Sequence, residues 1–482
     1  MVHRDSLSWN WNKHKRIFTS LHNVVSFLTL RKEPVIPSQS IRAALRRAFL
    51  VEKGEAPALL ESGLYFFFLL LSFYLLRPLR EALGIAKGAD KLPWLMTGTL
   101  VAMLLVNPAF AALVARFPRK RFIPMVYRFF ALNLLIFFAL FHWKAGNAWL
   151  GYGFYIWLSV FNLFVVSVFW AFMSDIFNDG QGKRLFSPIA AGGTLGAIAG
   201  AAFTEALMHG FPLGPWRVQA QPATLFLLSA ACLEIASQFM KRLGRRFGLD
   251  SAKQHLREPG PGVLEGLRLL VRSPYLQLIC LYLLLFTLTS TFLYLLQGRI
   301  VERAFLGTAD RTAAFARIDL WVNVLSLATQ ILLAGRIFTR LGMKGALCLV
   351  PFLTVLGFGA LWIWPTFAVL AAVQVVRLGF HYAVDKPARE MLYIPLGPEE
   401  RYKSKPFIDT FIYRGGDAIG VWLPALTAML AVPMGFLGIV TGLAWVWTGA
   451  GLAGRRERFG NRPCSGSVGD EDGRLEGQPL GG

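Results

Sequence analysis

Apolar runs of about twenty residues recur along the chain, separated by short polar interruptions. The stretches from Leu64 to Leu76, Leu150 to Phe172 and Leu276 to Leu296 are apolar over a whole membrane span or most of one. A helix on the surface of a soluble core keeps a polar face, which these runs lack. Their length suits a hydrocarbon layer ~30 Å thick. Backbone polar groups in such a layer must be satisfied within the segment, which makes each run a helix. The pattern predicts spans at 62–77, 93–114, 122–141, 149–173, 185–208, 222–240, 275–297, 318–337, 345–364, 366–385, 407–430 and 433–452. The fold class is therefore an all-α polytopic membrane protein of about twelve transmembrane helices.

The longest internal polar stretch, Lys241 to Pro274, holds the Pro259-Gly260-Pro261 breaker and divides the spans six and six. The expected organisation is a basic cytoplasmic tail (1–60), a six-helix bundle (61–240), a cytoplasmic linker (241–274), a second six-helix bundle (275–453) and a polar tail (454–482) with little to bury. The halves echo each other. A short basic turn follows the second span (Arg116 to Arg121) and the eighth (Arg336 to Lys344). Gly192-Gly193-Thr194-Leu195-Gly196-Ala197 in span five matches Gly415-Gly416-Asp417-Ala418-Ile419-Gly420 in span eleven. Two repeated six-helix bundles are the major-facilitator architecture, with a site expected near the midplane between the halves. The glycines serve close helix packing in this reading, because a phosphate-cradling loop would need a preceding strand and a Lys at fixed offset.

Only 16% of residues are charged, yet the formal net charge is +22. The basic residues lie mostly between spans, in the N-terminal tail, at 116–121, 183–184, 241–257, 336–344, 386–405 and 455–458. The alternate loops near Lys144, Arg217 and Pro365 carry few. That alternation excludes a nucleic-acid-binding surface as the reason for the charge and puts both termini in the cytoplasm of a cell whose inner membrane the chain spans. Arg299, Arg303, Arg311 and Arg317 dissent, falling on the expected outside. The basic N-terminal tail also has the composition of an organellar transit peptide, but an anionic membrane surface accounts for it equally. Cys232, Cys280 and Cys348 lie in spans and Cys464 in the tail, so neither disulfide framework nor zinc site is indicated.

Ionisable residues inside spans are costly unless they face a cavity or a partner, which makes each a functional candidate. Arg77 and Arg80 share a helix face at the end of span one, with Glu81 beside them. Arg377 lies deep in span ten near His381 and Asp385, and span eleven carries Asp409, Arg414 and Asp417. The four arginines are the candidate binding groups for an anionic solute. Glu81, Asp385, Asp409 and Asp417 are candidates for gating or proton relay. Glu61, Glu205, Glu234 and Asp319 sit nearer span ends and read as interfacial. No nucleophile, base and orienting acid come together, and no metal or cofactor site is indicated, so an enzyme is not expected.

Tyr74-Leu75-Leu76-Arg77-Pro78-Leu79-Arg80-Glu81-Ala82-Leu83 resembles the first-helix signature of the ATP/ADP translocases of intracellular bacteria and plastids. Arg80 and Glu81 stand where that signature has Lys and Asp. Leu92-Pro93-Trp94, Phe169-Trp170-Ala171-Phe172, Lys183-Arg184-Leu185-Phe186 and Tyr402-Lys403-Ser404-Lys405-Pro406-Phe407-Ile408-Asp409 continue the resemblance in order over residues 60–430. The chain departs from the family where span four offers only Ser159, Asn162 and Ser167 in place of an acidic residue. It departs again where Arg414 replaces a Lys beside the span-eleven glycines. The resemblance implies a secondary transporter of an anionic solute, with ATP and ADP considered first, working as a monomer by alternating access. A proton-coupled permease for another solute, and a non-transporting scaffold or lipid-handling protein, are the other readings the residues allow.

The charge alternation yields a direct test. A tag placed after Arg458 should be inaccessible to protease or thiol label from outside intact cells and accessible in inverted vesicles; external access would reverse the orientation.

Overall fold

A computed structural model describes residues 52, 54–116, 119–143, 147–213, 216–218, 220–247, 263–396, 400, 404–405, 408–428 and 433–460. The N-terminal tail, Asp409's side chain, Cys464 and the tail after residue 460 lie outside the described residues. Eleven described helices are long and apolar enough to cross a membrane. Spans one to six are Ala56–Gly84, Leu92–Arg116, Arg119–Trp143, Ala148–Ile176, Asp179–His209 and Thr224–Arg246. Spans seven to ten are Pro274–Ala304, Thr308–Leu332, Ala334–Ile363 and Phe367–Phe380, the last continued by a π-turn, His381–Asp385, and Lys386–Met391. Span eleven is a π-turn, Ile408–Ile412, followed by Tyr413–Ala428, and span twelve is Met434–Gly460.

Local signals set several starts. Asn178 opens span five with a capping box: its Oδ1 accepts from the Gln181 amide at 2.9 Å, and its own amide donates to Gln181 Oε1 at 3.2 Å. Span seven starts at Ser273 with Pro274 in the first helical position. Within the expected linker, Val263–Arg272 forms a short helix. Phe211–Leu213 and Trp216–Val218 pair antiparallel between spans five and six.

Two boundaries differ from the hydropathy reading. Span eight begins at Thr308 rather than 318, so Arg311 and Arg317 are helical residues with partners instead of loop charges. Span nine already begins in the basic stretch at 334, and Gly342, at φ 63°, breaks the helix where a left-handed residue is needed.

The glycine motifs show how each half closes. A Cβ on Gly192 would meet the Gly63 carbonyl oxygen at 2.6 Å, and one on Gly200 would meet Tyr74 Cβ at 2.8 Å and the Leu71 oxygen at 2.9 Å. Gly196 lies equally close against the backbone of Phe67. Span five therefore presses its glycine face onto the backbone of span one. In the second half, Gly416 and Gly420 receive Thr287 and Thr291 of span seven. Spans one and five in the first half thus correspond to spans seven and eleven in the second.

Between halves, span five packs on span eight and span two on span eleven. Spans five and eleven, which carry the matching glycine motifs, therefore do not face each other: the two-fold relation exchanges five with eleven and eight with two. One buried apolar cluster draws from both halves, joining Ala82, Ile85, Leu92 and Tyr155 to Phe292, Val301 and Phe358. It lies toward the end that carries the turns near 84–92 and 304–308.

Gly192→Ala should push span one off span five and cost about 1–3 kcal/mol, as overpacking a tight contact does. Thermal unfolding of the purified protein measures this, with Gly153→Ala, where nothing lies within 4 Å of the added carbon, as the unaffected control.

Candidate functional site

Two adjoining chambers lie between the halves. One, of about 280 Å³, is bordered by Arg80, Tyr155, Ser159, Asn162, Arg414 and Ala418 among others. Its neighbour, of about 270 Å³, is bordered by Arg77, Glu81, Gln297, Asp319, Gln374 and Arg377 among others. Met96, Tyr294 and Asp417 border both. All four arginines singled out in the sequence therefore reach the central space, from spans one, ten and eleven.

Three of the four are neutralised. Arg77 Nη1 lies 3.1 Å from Asp319 Oδ1 of span eight and donates to the Tyr74 hydroxyl at 3.3 Å. This ion pair crosses between the halves, and its carboxylate was read from sequence as interfacial. Asp319 is the twelfth residue of its helix, and the hydropathy window hid that depth by starting the span at 318.

Arg80 Nη1 lies 2.6 Å from Glu81 Oε1, its Nε donates to the Tyr155 carbonyl at 3.0 Å, and its guanidinium rests 3.7 Å above the Tyr155 ring. The Tyr294 hydroxyl donates to Glu81 Oε2, and the Tyr155 and Tyr294 hydroxyls are 2.7 Å apart. Glu81 is thus held from both halves at once. In span eleven Arg414 and Asp417 are 3.9 Å apart, with Arg414 the most exposed of the four guanidiniums.

Arg377 is different. It is 2% exposed, donates through Nε to Thr354 Oγ1 at 3.2 Å and through Nη2 to the Ser290 hydroxyl, and has no carboxylate in ion-pair range among the described residues. A guanidinium held by neutral hydroxyls keeps its full charge available to a ligand.

Asp385 is not brought to the chambers. It is fully buried about two turns further along span ten, accepting from the Tyr282 hydroxyl at 2.5 Å, 2.9 Å from His381 Nδ1 and 4.0 Å from Arg389 Nε. Asp385 ends the π-turn His381–Asp385, and its carboxylate is taken up there by Tyr282 and His381.

Further ties close the end of the bundle at the 84–92 turn. Arg311 donates to the carbonyls of Phe305, Ile85 and Glu302, and Glu302 accepts from the Ala89 amide at 2.9 Å. Arg317 Nε lies 2.6 Å from Glu205 Oε1, and its Nη2 is 2.6 Å from His209. Trp422 Nε1 donates to Thr97 Oγ1 at 3.1 Å. Two of the four charges that dissented from the loop alternation, Arg311 and Arg317, are interbundle fasteners. Their dissent was the signal in the sequence.

A sequence profile described as TLC ATP/ADP transporter matches residues 142–448. The chain is 25% identical over 283 residues to ADP,ATP carrier protein 1 of Chlamydia trachomatis, covering 52% of this chain and 54% of that protein. It is 22% identical over 367 residues to ADP,ATP carrier protein 3 of Rickettsia felis, covering 65% of this chain and 72% of that protein. The chain thus spans about half the length of the Chlamydia relative it matches. Among solved structures, the nucleoside transporter NupG in a mutant form superposes with a TM-score of 0.57 at 13% identity, over 83% of this chain and 99% of that one. The POT family transporter PepTSo gives 0.56 at 12%, over 83% and 98%. At those identities the likeness concerns the fold, which is of the major-facilitator kind.

The Arg77–Asp319 pair makes a testable contribution. Asp319→Leu leaves a buried guanidinium unpaired and should destabilise by on the order of 3 kcal/mol, whereas Arg77→Leu with Asp319→Leu should recover much of the loss. Thermal unfolding of Asp319→Leu, Arg77→Leu and the double variant measures the coupling; losses in the two single variants that simply add in the double would mean that the pair contributes nothing.

Proposed function

Because the chain belongs to the TLC ATP/ADP transporter family, we propose that it is a secondary transporter that exchanges nucleotides of the ATP/ADP type across the cell's inner membrane, with both termini cytoplasmic. The observation that carries this reading is Arg377, a buried guanidinium in the chamber wall that donates to two hydroxyls and has no carboxylate in ion-pair range among the described residues. Among the described residues four guanidiniums and three carboxylates border the two chambers, an excess of one positive charge for a solute to neutralise.

The arrangement suggests how binding and movement are coupled. A phosphate chain that meets Arg377 is also within the space bordered by Arg77 and Arg80, and it competes there with Asp319 and Glu81 for the same donors. Those carboxylates belong to ties between the halves, so a bound polyanion loosens the ties that an empty chamber keeps. An empty carrier locked by its own carboxylates exchanges solutes and does not return unloaded, as exchange requires. Arg414 and Asp417, the least buried pair, take part on the side of the first chamber.

The test is counterflow in proteoliposomes. Labelled ADP should enter vesicles preloaded with ATP, and Arg377→Gln should lower that rate by about a hundredfold or more while the protein still reaches the membrane, since a charge-assisted, desolvated contact is lost. Uptake that follows an imposed pH gradient without internal nucleotide would favour the proton-coupled reading instead. No flux of any solute would favour a scaffold.

A further inference from the structure

One turn before Arg377, Gln374 borders the same chamber and is 5% exposed; its partner, Gln297 of span seven, is 8% exposed. Gln374 Nε2 donates to Gln297 Oε1. That single bond uses one donor and one acceptor of the pair. Gln374 Oε1 is buried and has no hydrogen-bond partner, and among the described residues no partner is recorded for Gln297 Nε2 either.

A buried amide oxygen left without a donor costs about 1–3 kcal/mol. If the two glutamines only fastened span seven to span ten, an apolar pair of similar volume would do so without that cost. Both glutamines border the chamber that holds the Arg377 guanidinium, with the orphaned acceptor buried in its wall. We propose that Gln297 and Gln374 read the heterocyclic base of the solute, Gln374 Oε1 accepting from an exocyclic amino group and Gln297 Nε2 donating to the adjacent ring nitrogen. This rests on the nucleotide reading above and adds to it the part of the solute that Arg377 cannot recognise.

The chemistry matches the edge. An adenine base presents one N–H donor beside one ring-nitrogen acceptor, and glutamine amides pair with that combination. Phe315 and Tyr382 border the same chamber and supply ring surface for a flat heterocycle. Arg377, three residues along the helix from Gln374, is displaced by about 4.5 Å along the axis. The base and its phosphate chain therefore fall to neighbouring positions on one wall.

The experiment uses the full-length protein in detergent and calorimetric binding of three probes: ADP, the diphosphate of the purine riboside in which hydrogen replaces the exocyclic amino group, and inorganic pyrophosphate. Gln374→Met should weaken ADP about tenfold, the loss expected of one hydrogen bond and its unsatisfied partner. It should leave the analogue and pyrophosphate unchanged, which also shows that the variant is folded. Gln297→Met should weaken ADP and the analogue together and again spare pyrophosphate. Equal losses for all three probes, or no loss for ADP, would overturn the assignment of the glutamines while leaving the nucleotide reading intact. Failure of the unsubstituted protein to bind ADP would overturn both.

Discussion

The structure depends on the cost of holding guanidinium groups inside a low-dielectric bundle. A charge at that depth is tolerated only with a partner or a cavity, and the chain supplies both. Arg77 is paired across the halves with Asp319, while Arg80 and Glu81 are joined to Tyr294 of the other half. Arg80 finds its carboxylate within the first bundle, whereas Arg77 meets its own only when the second bundle stands against it. Assembly of the halves and pairing of Arg77 are one event.

The same constraint makes the interface conditional. Glycine faces hold span five on the backbone of span one, and span eleven on the threonine side chains of span seven, through close packing within each half. Each bundle is therefore a rigid unit. The ties between bundles are of another kind, being ion pairs and hydroxyl bonds whose partners border or adjoin the chambers. Rigid halves joined by exchangeable charges are what a rocking motion needs, since the energy difference between states then lies in a few contacts. Arg377 completes the scheme. Its hydroxyl partners leave a positive charge for the solute, and its place next to Gln374 sets charge recognition beside neutral hydrogen bonding on one helix face.

Much of this was legible along the chain. Long apolar runs with basic loops between them give the number and order of spans, because hydropathy over twenty residues reports directly on the solvent around a helix. The glycine echoes marked spans five and eleven as helices with closely packed faces, without saying against which neighbours. The four arginines stood out because a guanidinium in an apolar run is rare enough to need a reason. Arg311 and Arg317 were visible as exceptions to the loop rule, although their use as fasteners was not.

What the sequence by itself determined is therefore the membrane class, the six-plus-six division, the repeat and the identity of the buried cations, all of which follow from local composition and spacing. Only the tertiary structure decided which acid answers which base. Asp319 was hidden because its helix starts ten residues before the hydropathy rises, and Asp385 is taken up by Tyr282 and His381, partners that its own stretch of sequence only half reveals. Gln297 and Gln374 carried no signal, since neutral amides are ordinary at helix interfaces and become distinctive only when one is seen buried with an unused oxygen. Pairing across 77 and 319, or 297 and 374, depends on how two rigid bundles meet, and that relation is set by packing between segments far apart in the chain rather than by any stretch of it.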